Sequence, residues 1–366
     1  MTTRVLKRSA RLLAAATLLA CACGPKVTDR AGLPAECPHP QDHRLIRWYQ
    51  VEDSEERAQL IRWCSAVGPA VVDEPPPTQP PTVDSLAVVS WNTHVGGGAL
   101  GYFIRQLRTG VLNNARPVPH FVILLQETYR TGPEIPARLP ADALYADPIF
   151  PTRELGIRRD VREMAEEYGL FVYYVPSMRN GGEDGPPEDR GNAILSTLPL
   201  SDFTAWELPY RFQRRVTIGA SVQGVTSSGV PWRLRFLNIH LDHRTGIRAF
   251  VTSFGAVREE QVEFLLERFP ADGAAVAGGD FNTWLGEYME GAIDRVREVF
   301  PEPREIPRHG TVKFGPVLER QTDFLFFRLP PGWRGHYRRI DDTYGSDHYP
   351  LLGWIRFGEE PPAEED

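Results

Sequence analysis

The sequence predicts an α/β domain with sheets packed face to face and helices outside, preceded by a small helical segment. Three observations predict it. Short apolar runs stop abruptly at polar residues or glycine, at residues 86–91, 121–125, 171–175, 193–196 and 274–277, as buried strands do. Residues 214–222 and 232–238 alternate apolar and polar side chains, the period of half-buried strands. Apolar positions three and four apart recur at 101–107, 153–168, 247–269 and 287–299, the period of helices packed on a sheet. Residues 324–327 and 351–357 read as late strands.

The chain begins with a basic stretch (Arg4, Lys7, Arg8, Arg11) followed by an apolar run over 12–20, too short to span a bilayer. This is the pattern of a secretory signal. Leu18-Leu19-Ala20-Cys21 resembles a bacterial lipobox. That resemblance implies a leader over 1–20, lipidation of Cys21 and a cell-envelope protein held by a lipid anchor, on the outer-membrane or periplasmic side or at the cell surface. The alternative is a plain signal peptide. Three further cysteines remain, and Cys37–Cys64 is the expected disulfide in an oxidising compartment. No cysteine spacing reads as a zinc site.

Residues 21–67 read as a tether followed by a helical hairpin over 43–67, in which Leu-Ile-Arg-Trp occurs twice. Residues 68–82, with Pro75-Pro76-Pro77 and Pro80-Pro81, read as an extended linker. The main domain is expected over 83–358, and 359–366 as an acidic tail. With a net charge of −7 the chain is not a general polyanion binder, so any nucleic-acid contact has to come from locally clustered arginines.

The expected strand ends carry the chemistry. Residues 274–277 run into Gly278-Gly279 and then Asp280-Phe281-Asn282, an acid that can take a proton and an amide that can donate to an anionic oxygen. Gly-Asp-x-Asn is also ordinary turn chemistry. Glu127 ends the strand at 121–125 as a hard oxygen ligand suited to Mg²⁺. Asn92 ends the first strand, His240 ends another, Asp323 begins a late one, and Asp347-His348 precedes the last.

Trp91-Asn92, Gln126-Glu127, Gly191-Asn192-Ala193, Asn238-Ile239-His240-Leu241-Asp242, Gly279-Asp280-Phe281-Asn282, Thr322-Asp323-Phe324 and Ser346-Asp347-His348 follow one another in this order. The order resembles the endonuclease/exonuclease/phosphatase superfamily, the deoxyribonuclease I-like fold, over residues 86–357. The resemblance implies a four-layer α/β/β/α sandwich and metal-dependent hydrolysis of phosphate esters. It implies Mg²⁺, or Mn²⁺, held by Asn92, Glu127 and Asp347. Asp280 would orient or deprotonate water, Asn282 would donate to the phosphoryl oxygens, and Asp323 would hold the His348 imidazole. His348 and His240 would donate to the phosphate or the leaving oxygen, with Asn192 and Arg190 on the phosphate.

The substrate is less legible. Arg153, Arg158, Arg159 and Arg162, then Arg211, Arg214 and Arg215, then Arg244 and Arg248 can line a groove for nucleic acid or lie on solvated helix faces among acids. Trp284, Tyr288 and Trp333 can serve a lipid headgroup enzyme or sit in the core. The leading expectation is a monomeric phosphodiesterase that cleaves nucleic acid. The alternatives are a phospholipid or inositol-phosphate headgroup hydrolase and a non-catalytic envelope binding lipoprotein.

Overall fold

The computed structural model describes residues 27–31, 45–73, 79–146, 157–182, 185–243, 255–283, 290–314 and 318–358. Cys21, Cys37, Arg153, Arg244, Arg248, Trp284, Tyr288 and the acidic tail lie outside them.

The described strands, in chain order, are β1 (Val27–Ala31), β2 (Arg47–Val51), β3 (Val71–Val72), β4 (Ser85–Asn92), β5 (Phe121–Thr131), β6 (Phe171–Arg179), β7 (Glu188–Ser196), β8 (Ser201–Glu207), β9 (Val216–Val225) and β10 (Pro231–His240). They continue with β11 (Ala275–Asp280), β12 (Val312–Phe314), β13 (Leu318–Arg320), β14 (Asp323–Arg328), β15 (Arg334–Arg339) and β16 (Leu351–Arg356). The helices are α1 (Ser54–Cys64), α2 (Leu100–Arg108), α3 (Val161–Glu167), α4 (Ala256–Leu266) and α5 (Gly291–Val299).

Two seven-stranded sheets, ordered β1-β2-β8-β9-β10-β11-β14 and β15-β16-β4-β5-β7-β6-β3, carry the fold. Leu86, Val88, Val122 and Leu124 of the second sheet meet Ile218, Leu234, Phe236 and Val276 of the first in a common core. Alternate residues of the same strands point outward. Ala87, Val89 and Trp91 pack under α2 and α3, and Leu237, Ile239 and Ala277 under α4 and α5. This gives the four expected layers, and it explains the near-continuous apolar runs, since each central strand is buried on both faces. In α2 the buried Leu100, Phe103, Ile104 and Leu107 form one stripe, each burial contributing about 1.5–3 kcal/mol.

The helical reading of 43–67 is half corrected. Ser54–Cys64 is a helix, capped by Asp53, whose carboxylate accepts from the Glu55 and Glu56 N–H groups at 3.1 and 2.9 Å. Arg47–Val51 is a strand that pairs in parallel with β8. Trp48 enters the core between the sheets while Tyr49 and Val51 face the outer layer. That is a two-residue period, hidden because both faces are buried. Cys64 is disulfide-bonded, and its partner lies outside the described residues. The helix expected over 153–168 is confined to Val161–Glu167 among the described residues. Among them no helix is long and apolar enough to cross a membrane.

Candidate active site

Strand register brings the polar strand ends together. In the first sheet β10 and β11 run parallel and β14 antiparallel, so His240 stands beside Asp280 and Asp280 beside Asp323. In the second, the parallel pair β4 and β5 sets Asn92 beside Gln126. Asn92 joins the sheets, its amide Nδ2 donating to Asp280 Oδ2 at 3.1 Å.

The backbone is bent where the site needs it. Gly279 has φ +152°, and a Cβ there would lie 1.8 Å from the Ile239 carbonyl oxygen, so β11 can approach β10 this closely only through glycine. Glu127 has φ +50° at a register break between Leu125 and Thr128, a bulge that turns its carboxylate out of the ladder. Asn282 and His94, with φ of +52° and +50°, are also left-handed. Such conformations cost energy in non-glycine residues and collect at functional sites. At Asn282 the turn aims its own N–H at Asp280 Oδ1, 2.9 Å away.

Asp280 is the centre. His240 Nε2 lies 3.7 Å and His348 Nε2 3.9 Å from the same Oδ2. Burial, and then the charge of Asp323, push the Asp280 carboxyl up to about 7, against the pull of His348 and the donors Asn282 and Asn92. The two imidazoles are held from behind by opposite charges. His348 Nδ1 is 2.8 Å from Asp323 Oδ2. Burial opposes its charge, but Asp323, Asp347 and Asp280 outweigh burial, and its pKa is well above the ordinary histidine value. His240 Nδ1 is 3.2 Å from the guanidinium Nη1 of Arg215, whose Nη2 is 3.1 Å from His243 Nδ1. Burial and then Arg215 push the His240 pKa well below the ordinary value. A guanidinium only donates, so His240 Nδ1 accepts and the ring proton sits on Nε2, facing Asp280 and Glu127.

Two groupings can bear on a cation. Asp280, Asp323 and His348 each offer a ligand atom, all within 4.8 Å of one another. The short Asp323–His348 hydrogen bond occupies one of those atoms, and the raised His348 pKa favours a proton there. The second grouping is Glu127 with Asn92 and Asp347. Glu127 has no ion pair closer than its 4.0 Å approach to His240 among the described residues, and His240 is held neutral. An outward carboxylate without a close ion pair fits a hard divalent cation. Asp347 is engaged by His94 Nδ1 at 2.8 Å. Burial works against its charge, but His348 and His94 outweigh it and hold its pKa down at about 2, so it is ionised and suited to a cation.

The expected residues Asn92, Glu127, His240, Asp280, Asn282, Asp323, Asp347 and His348 therefore meet at one end of the sandwich. Asn192 has a different environment. Its amide nitrogen donates to the carbonyls of Val216, at 2.9 Å, and Asn238, at 3.4 Å, tying β7 to the opposite sheet. Asn238 receives Gln126 Nε2 at 2.6 Å and donates to the Leu125 and Ala193 carbonyls, both at 2.8 Å. This polar bridge between the sheets lies directly under the site. Arg190 is buried, with Nη2 3.4 Å from Met178 Sδ.

His94, Arg215 and His243 were not among the expected site residues. His94 stood in view two residues past Asn92, and Arg215 within an arginine-rich stretch, but neither residue type at those positions specifies a role. Most of the arginines read as a polyanion groove are neutralised instead. Arg158 pairs with Glu188 at 2.8 Å, Arg159 with Glu167 at 2.7 Å, Arg162 with Asp160 at 3.1 Å, Arg211 with Glu56 at 2.8 Å and Arg214 with Glu207 at 2.5 Å. Beside the site a half-open cavity of 290 Å³ is lined by Thr93, Thr128, Tyr129, Tyr102, Ile157 and Tyr168, among others. Trp333 packs on the Phe357 ring at 4.7 Å against the core, away from the site.

The model of the Endonuclease/Exonuclease/phosphatase family matches residues 89–361. Among solved structures, an endonuclease/exonuclease/phosphatase from Beutenbergia cavernae is 18% identical, covering 77% of this chain and 74% of that one, with a TM-score of 0.50. A family protein from Leptotrichia buccalis is 11% identical over 74% of this chain and 100% of that one, with a TM-score of 0.47. Sphingomyelinase C from Streptomyces griseocarneus is 15% identical over 76% and 100%, with a TM-score of 0.41. Comparison with curated proteins finds no match.

Proposed function

The chain belongs to the endonuclease/exonuclease/phosphatase family, whose members hydrolyse phosphoester bonds, and we propose that it is a metal-dependent phosphodiesterase that cleaves the nucleic-acid backbone. The observation that carries the reading is the convergence of two imidazole Nε2 atoms, at 3.7 and 3.9 Å, on one oxygen of a buried carboxylate. Phosphodiester hydrolysis needs an oriented water, neutralised oxyanions and a protonated leaving oxygen. Asp280, with a pKa near neutrality, takes the proton of the attacking water. His348, kept charged by Asp323, donates to the phosphate and then to the leaving oxygen. His240 presents a neutral Nε2–H to a phosphoryl oxygen. The Asn282 amide donates to Leu241 O at 3.0 Å, and its second hydrogen remains for the phosphate. Glu127, Asn92 and Asp347 would hold Mg²⁺ or Mn²⁺, which supplies charge neutralisation when bound.

The neutralised arginines restrict the nuclease reading to a short footprint, one or two phosphates around the scissile bond. A second reading, cleavage of a phospholipid headgroup, is favoured by the rim of the neighbouring cavity, where Ile157 is 77% and Tyr102 49% exposed. The deciding experiment incubates the intact chain with supercoiled plasmid in Mg²⁺ or chelator, beside an Asp280→Ala/His348→Ala double variant. Nicking that requires both the metal and the two residues supports the nuclease. A folded protein that leaves plasmid intact sinks it, and sphingomyelin and inositol phosphates become the next substrates.

A further inference from the structure

A second cavity, of 300 Å³, lies on the first sheet and is lined by Arg47, Tyr49, Asp202, Thr204, Arg235 and Arg268, among others. Arg235 precedes His240 by five residues on β10, so it stands about 16 Å along the strand from the reaction centre. The charge here is one-sided. Asp202 contributes the one carboxylate of the lining, and it is already paired with Arg233.

Arg235 is the informative residue. Its Nη2 donates to Thr204 Oγ1 at 2.8 Å, its guanidinium lies 5.9 Å from the Phe269 ring centre, and its Nε is buried without a hydrogen-bond partner. No carboxylate pairs with it among the described residues. Burial, and then the like charges of Arg233 and Arg47, pull its pKa below the ordinary arginine value. By contrast, the buried Arg214 has Glu207 as a counter-charge and the buried Arg215 has the His240 imidazole. Arg268 adds a guanidinium on the rim, where its own contact is Glu267 O at 3.4 Å. A half-buried guanidinium without a counter-ion is costly, and guanidinium groups converging on one cavity repel each other. A tetrahedral oxyanion removes both costs, because guanidinium forks bind its oxygens in pairs.

We propose that this cavity is a second oxyanion site, separate from the reaction centre, that takes a phosphate group carried by a soluble phosphate or by an anionic lipid headgroup. Arg235 and Thr204 form its floor and Arg268 its side. The site does not depend on the proposed activity, and a protein that cleaves nothing would still bind phosphate here.

The test is calorimetric titration of inorganic phosphate into the intact chain in chelator, which removes metal-supported binding at the reaction centre. Arg235→Gln and Arg268→Gln are titrated in the same way, with plasmid nicking in Mg²⁺ recorded alongside. Each substitution should weaken phosphate binding about tenfold, the loss of one charge-assisted contact, and leave nicking unchanged. Affinities equal to those of the unaltered protein overturn the proposal. Loss of nicking in a folded variant overturns the separateness of the site. Arg268 is exposed, so its variant keeps the test intact if Arg235→Gln does not fold. Vesicles of phosphatidylglycerol, compared with phosphatidylcholine, distinguish the two sources. Preferential retention on phosphatidylglycerol that Arg235→Gln abolishes assigns a lipid headgroup. Phosphate binding lost with retention unchanged assigns a soluble ligand.

Discussion

His348 and His240 approach the same carboxylate oxygen at nearly equal distances, and differ most in what stands behind them. Asp323 behind His348 keeps that ring charged. Arg215 behind His240 helps keep that one neutral. Two copies of one residue type are set to opposite protonation by the partners behind them, which in the proposed mechanism makes one a proton donor and the other a neutral hydrogen-bond donor. The first pair resembles a carboxylate–histidine couple of hydrolases; the second inverts its charge.

The largest effect should come from the group the two rings share. Asp280→Asn should lower kcat by about 10²–10⁴-fold, the range for a lost general base, with KM little changed; a small effect in steady-state kinetics would leave both rings without a common purpose. Next is Asp323→Asn, expected to cost about 10²-fold. With the carboxylate gone the His348 pKa falls. The limb of the rate profile where activity is lost with rising pH should therefore move to lower pH, and the imidazole ¹⁵N shifts should report a neutral ring at pH 7. An unmoved limb would mean that His348 is not the proton donor.

Arg215→Met should cost about tenfold. Its diagnostic sign is the appearance of a proton on His240 Nδ1 in ¹⁵N spectra, with Arg215→Lys restoring the Nε2 tautomer. A variant that loses activity with the tautomer unchanged would reduce Arg215 to packing. The smallest effect is in salt. Since the outer arginines are paired with carboxylates, log–log dependence of nucleic-acid binding on salt should have a slope of about −1 to −2, one or two phosphates neutralised. A steep slope would require a polyanion track outside the described residues.

Much of the fold was legible because central strands buried on both faces leave unbroken apolar runs, and because Gly278-Gly279-Asp280 announces a strand end. The site residues were legible one by one as polar groups at those ends. Of their partners, Asp323 behind His348 was expected and is found there, but the others were not. Arg214 meets Glu207 seven residues away, but Arg211 meets Glu56 across 155 positions, so a row of arginines reads the same whether paired or free. Arg215 and His240, 25 positions apart, meet through strand packing that no local pattern encodes. Asn192 was expected on the phosphate, yet its amide ties the sheets together beneath it, a distinction set by rotamer and register. Arg47–Val51 misled because a segment buried on both sides loses the alternation that separates strand from helix.

The residues expected as tether and linker before Val83 instead contribute strands to both sheets, Val71–Val72 of the expected linker among them. β1 and β2 lie outside β8 in one sheet, and β3 lies outside β6 in the other, so these three strands cover both sheets along the same flank. A protein trimmed to begin near Val83 would present β8 and β6 as open hydrogen-bonding rims, ready to recruit strands from neighbouring molecules. Self-association of such a fragment would reflect a lost hem rather than a damaged reaction centre.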